Sequence, residues 1–123
     1  MSVFTLGDTF YGGAEVHGKD HLWIIINDPA QHEGRALYVN VTTLKGVFAE
    51  QTCLLRPDDH PFVKHASYLR FADAKTAMVT ELERAEGVSL IRKHQSASTS
   101  LIQRIREAAF ASRRLDPALR ALL

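Results

Sequence analysis

Apolar residues arrive first in short clusters separated by turn signals, and only late in the chain at helical spacing. Residues 9–11 form a first short cluster after the Gly7-Asp8 turn, and Gly12-Gly13 ends it. Residues 21–27 are the clearest strand, because Trp23, Ile24, Ile25 and Ile26 are aromatic or β-branched. An unbroken apolar run predicts a central strand covered on both faces. Asn27-Asp28-Pro29 supplies the turn after it. Residues 35–43 alternate: Leu37, Val39 and Val41 face one way, Tyr38, Asn40 and Thr42 the other. Shorter strands are predicted at 52–55, 67–71 and 88–92. Between them, 56–61 is a turn-rich loop, and 73–84 carries mixed signals for a helical turn and a short strand.

The period then changes. Leu101, Ile105, Ala108 and Ser112 share a helical face, flanked by Ile102 and Ala109. Ser100 with Gln103 three residues on reads as a capping box. Asp116-Pro117 can open a last helical turn. The pattern predicts a mainly β fold with C-terminal α. It is a small, curled antiparallel sheet or barrel over about residues 1–92, closed by a helical part over about 98–123.

Length and composition fit one domain across residues 1–123. The chain is 46% hydrophobic, enough for one core without a metal or disulfide to hold it. Net charge is +1, so the bulk balance selects no partner. The distribution says more. From residue 84 onward eight basic residues stand against three acidic ones, a net +5 that leaves −4 on the rest. Such a tail can meet RNA, an acidic partner or the protein's own body. Cys53 is the only cysteine and lies in an apolar run, which predicts a buried thiol and fits a reducing compartment. The longest apolar run, 22–26, is too short to cross a bilayer, and the first residues lack the basic and apolar regions of a signal peptide. The expectation is a cytoplasmic protein with no membrane contact.

Several polar residues invite chemistry. His17 and His21 flank Asp20, and Asp58, Asp59, His60 and His65 form a second group. His17 and His21 have helical metal-ligand spacing, but the segment reads as loop into strand, so no metal is expected. Trp23 reads as core; Tyr11 and Tyr38 are more open candidates for stacking on bases. Phosphate-loop, dinucleotide and nucleophile-elbow motifs are absent, so no cofactor is expected.

The order of motifs resembles the MazF/PemK toxin family. Gly7-Asp8 leads into Thr9-Phe10-Tyr11, and the second strand runs from His21 through Leu22-Trp23-Ile24-Ile25-Ile26 to Asn27. The third strand ends in Thr42-Thr43, and Ser67-Tyr68-Leu69 precedes the closing helix. The resemblance implies an SH3-like barrel and a homodimer paired with a small antitoxin. It implies metal-independent cleavage of single-stranded RNA by attack of a 2′-hydroxyl. His21, Thr42, Thr43 and His60, with His65 as an alternative to His60, are the expected acid-base and hydroxyl groups. His17, Lys19, Arg35 and Lys45 are the expected RNA contacts. One departure is visible: the family places an Arg at the start of the second strand, where this chain has His21. Histidine can exchange a proton near neutral pH but lacks the fixed charge and planar fork of arginine. Two other readings share the fold. One is a binding module that has lost catalysis and engages RNA or a protein such as gyrase. The other is a regulatory protein that docks an acidic partner through its basic tail.

Overall fold

The computed structural model describes residues 4–13, 20–44 and 53–123. Six strands form one antiparallel sheet: β1 (Thr9–Gly12), β2 (His21–Ile25), β3 (Arg35–Thr43), β4 (Leu54–Leu55), β5 (Ser67–Met78) and β6 (Ile91–His94). Their order is β4-β5-β3-β2-β1-β6, a curled half-barrel with β4 and β6 as its edges. Among the described residues are three α-helices: α1 (Val79–Gly87) between β5 and β6, then α2 (Thr99–Ala111) and α3 (Pro117–Arg120) after β6.

β2 and β3 sit centrally, and Leu22, Trp23, Ile24, Ile25 and Ile26 are all buried, as the apolar run requires. The alternation of β3 divides the core in two. Leu37, Val39 and Val41 join Leu22, Ile24 and the α2 residues Leu101, Ile102 and Ile105 in one cluster. On the opposite face Phe10, Trp23, Ile25 and Ala36 pack with Leu82 of α1, and Tyr38 lies against them. The sheet is therefore covered by a helix on each side. Gly12 makes the β1–β6 approach possible. Its φ is +149°, and a Cβ there would lie 2.6 Å from the Leu90 carbonyl oxygen.

Three boundaries differ from the sequence expectation. β5 continues to Met78 instead of stopping at Phe71, and α1 starts immediately after it. The Glu81 carboxylate accepts from the Met78 N–H at 3.0 Å and ties down that helix start. The last strand is Ile91–His94, because the α1 C-terminus takes up residues through Gly87 and Ser89 turns the chain at φ 64°. The N-cap of α2 is Ser98, whose Oγ accepts from the Leu101 N–H at 3.1 Å. The segment Ser96-Ala97-Ser98-Thr99-Ser100 offers several cap residues of equal quality, and backbone geometry selects among them.

The basic tail meets its own body. Arg104 grips both oxygens of Asp59, at 3.1 and 2.9 Å, and also donates to the Leu54 carbonyl at 3.2 Å. Arg106 donates to the Ile26 carbonyl at 2.5 Å, and Arg120 to that of Ser112. Among the described residues no helix is long and apolar enough to cross a membrane.

Candidate functional site

The β2–β3 register sets the site. Trp23 pairs with Asn40 and Leu22 with Val41, which places His21 and Thr42 one step beyond, at the end of the two strands. On the other side of β2, Gly12 stands opposite His21 and presents no side chain to crowd it. His21 is half-buried, and its ring meets Trp23 edge-on with centroids 6.0 Å apart. The Thr42 hydroxyl donates to Asn40 Oδ1 at 3.2 Å. That leaves its oxygen facing the cavity as an acceptor.

The third side is β5, where an irregularity changes which residues share a face. Tyr38 pairs with Lys75 and Asn40 with Arg70, so Val39 alone faces the four residues 71–74. In an unbroken strand Arg70 and Lys75, five apart, would point to opposite faces. The bulge restores them to one face. Phe71 and Ala74 turn into the α2-side core, while Asp73 rises beside Arg70. Arg70 Nε lies 3.2 Å from Asp73 Oδ2.

The result is a cavity of about 370 Å³ lined by His21, Trp23, Asn40, Thr42, Arg70, Asp73 and Lys75. Its position follows from helix length. α1 starts where Met78 pairs with Arg35, at the far end of β3. Nine helical residues reach roughly 13 Å, whereas Thr42 lies roughly 23 Å from Arg35 along the strand. The helix covers Trp23 and Tyr38 but leaves the His21–Thr42 end open. A second opening of about 330 Å³ wraps the sheet's rim, touching Tyr11, Asp20, His21, Thr42, Thr43 and Phe62.

The expected acid-base quartet is thus divided. His21 and Thr42 meet in one cavity. Thr43, on the α2-side face of β3, joins His21 and Thr42 only at the rim opening, and it also lines an opening of about 610 Å³ shared with Phe62, His65 and His94. His60 is 2% exposed on that same side, and both its nitrogens are occupied. Nδ1 accepts from the Phe62 N–H at 3.0 Å, so the proton must sit on Nε2, which donates to the Gln95 carbonyl at 2.5 Å. Burial holds its pKa below the usual histidine value, which keeps the ring neutral. His60 joins the loop around Phe62 to the segment after β6; it does not reach the His21 cavity. Arg35 stands at the other end of β3, with Nη1 at 3.5 Å from the Thr76 hydroxyl. His17, Lys19 and Lys45 lie outside the described residues.

Arg70, Asp73, Lys75 and Asn40 were not among the expected site residues. Asn40 carries the one readable signal, a polar residue between apolar neighbours on a central strand. Trp23 is core, 2% exposed, with Nε1 donating to the Gly12 carbonyl at 3.2 Å. Cys53 is buried, and that burial pushes its thiol pKa up, away from the reactive thiolate. Among the described residues no three His, Cys, Asp or Glu side chains converge as metal ligands.

No protein-family model and no curated protein sequence matches this chain. Solved structures do. An endoribonuclease in complex with its cognate antitoxin, from a mycobacterial species, superposes with a TM-score of 0.60 at 15% identity. The match covers 94% of this chain and 98% of that one. A chain of the MazE–MazF complex from Deinococcus radiodurans superposes with a TM-score of 0.58 at 11% identity, covering 94% and 100%. At these identities the likeness is one of fold, and the fold is MazF-like.

Proposed function

We propose that this protein is the toxin of a toxin–antitoxin pair and that it cleaves single-stranded RNA in the cavity bounded by His21 and Thr42. The observation that carries the reading is their convergence on an open, cation-bearing pocket of a MazF-like fold.

The chemistry asks little of the protein beyond positioning and proton transfer. A ribose 2′-oxygen attacks the adjacent phosphorus, the new 2′-O–P bond forms, and the bond from phosphorus to the 5′-oxygen breaks. The products are a 2′,3′-cyclic phosphate and a 5′-hydroxyl. The His21 imidazole accepts the 2′-hydroxyl proton. The Thr42 oxygen, its own proton engaged by Asn40, accepts from a ribose hydroxyl and orients it. The departing 5′-oxygen takes a proton from solvent, which the open cavity admits. No step requires a metal or an organic cofactor.

Both superposed structures are complexes with an antitoxin, which supports a small antitoxin as the partner here. The working form in this reading is a cytoplasmic homodimer. The test is incubation of the purified protein with single-stranded RNA in EDTA. Discrete fragments ending in a cyclic phosphate are expected, and His21→Ala should abolish them. Intact RNA across pH 5 to 8 would leave a non-catalytic binding module as the reading.

A further inference from the structure

An RNA-cleaving site needs a fixed cation at the phosphate, and of the residues lining the cavity Arg70 and Lys75 carry one. Building on the cleavage reading, we infer that Arg70 of β5 supplies this charge, binding the scissile phosphodiester from the neighbouring strand, with Asp73 holding its guanidinium in place.

Three observations carry the assignment. First, position: Arg70 pairs with Asn40, which pairs with Trp23, so it stands across β3 from β2 on the face that carries His21 and Thr42. All five line one cavity of about 370 Å³, room for a phosphate with its sugar. Second, orientation: Asp73 engages the Nε side of the guanidinium, and among the described residues nothing bonds the two terminal nitrogens. Those are the pair of donors that match two phosphate oxygens side by side. Third, cost: four residues of β5 are spent opposite one of β3, and the effect is to put Arg70, Asp73 and Lys75 together at this cavity. Bulges that re-aim side chains recur beside active sites. Lys75 adds a second, less directional positive charge.

The experiment separates phosphate binding from cleavage. One arm measures binding of a mixed-sequence 2′-O-methyl decaribonucleotide, which cannot be cut, by fluorescence anisotropy at several salt concentrations. The other measures cleavage of unmodified single-stranded RNA. Wild type, Arg70→Ala and Arg70→Lys are compared. The Arg70 side chain is half exposed, so both variants should melt like wild type. For Arg70→Ala, the slope of log affinity against log salt should fall by about 0.7, one phosphate contact, and cleavage should fall about 10²- to 10³-fold. Arg70→Lys should restore the salt slope but little of the rate, an outcome that a purely structural role would not produce. An unchanged salt slope in Arg70→Ala overturns the assignment even if wild type cleaves RNA. A reduced slope with no cleavage by wild type upholds the phosphate site and overturns the nuclease reading. No binding and no cleavage by wild type overturns both.

Discussion

Among the described residues, seventeen buried side chains form one continuous cluster on the α2 side of the sheet, whereas the α1 side gathers seven. The difference comes from the length and placement of the covering helices. α2 has thirteen residues, roughly 20 Å, and α3 and the chain end pack beside it. α1 has nine and is fixed to the Arg35–Met78 end of the sheet by direct continuation of β5. One face carries the larger core under α2 and is interrupted at its rim by the opening at Thr43, His65 and His94. The other is closed at one end only, and its open end carries the polar side chains. Two histidines illustrate the division: His60 is buried on the α2 side, where that burial holds its pKa down, and His21 lines the open end of the other face.

Substitutions can break this comparison. The largest effect is expected at the open face and on activity alone. His21→Ala should lower RNA cleavage by about 10²- to 10⁴-fold while the unfolding free energy from urea denaturation changes by no more than about 0.5 kcal/mol. A variant that unfolds instead would show that His21 belongs to the core.

Ile105→Ala removes a fully buried side chain of α2 and should cost about 3 kcal/mol in urea denaturation. At a temperature where the variant stays folded, its cleavage rate should be near that of wild type. A lost rate in the folded variant would show that the α2-side core shapes the site.

His60→Ala leaves the Phe62 N–H and the Gln95 carbonyl without their partner, at a cost of about 2 kcal/mol. It also tests the sign of a pH effect. Because the folded pKa is depressed, the unfolded chain binds the proton first as pH falls below about 6.5. Wild type should therefore lose stability from there down through the folded pKa, and His60→Ala should lose less. Equal slopes in the two proteins would mean that the His60 ring is not held neutral.

The smallest effect belongs to Arg104, whose partner Asp59 is held below the usual carboxylate range chiefly by the guanidinium hydrogen bonds. Both side chains are partly exposed, so Arg104→Ala should cost about 0.5 to 1 kcal/mol at low salt and less at high salt. The contribution is fully present above the ordinary Asp pKa of about 3.9 and lost as pH falls through the lowered one. A cost that persists in high salt would point to the Leu54 carbonyl bond as the larger part.

How much of this was legible beforehand depended on whether the signal was local. Alternation in β3 and the run in β2 fixed which residues face which side, because side-chain direction in a strand is a property of neighbouring residues. Turn residues fixed most breaks, and helical periodicity fixed α2. The strand beyond Phe71 was not legible, because a bulge makes the alternation change phase midway, which looks like mixed signals.

The chain by itself therefore determined the first three strands, the closing helix, the burial of Trp23 and Cys53, and the placement of His21 and Thr42 near strand ends. Only the tertiary structure decided that Thr42 shares the cavity with His21 while Thr43 meets them at the rim alone, and that His60 is a buried hydrogen-bonding residue. It also decided that Arg70 comes to stand across from His21. That meeting joins residues 49 positions apart. It depends on pairing register and on one bulge, which are set by the packing of β5 against β3 and leave no periodic trace in either strand alone.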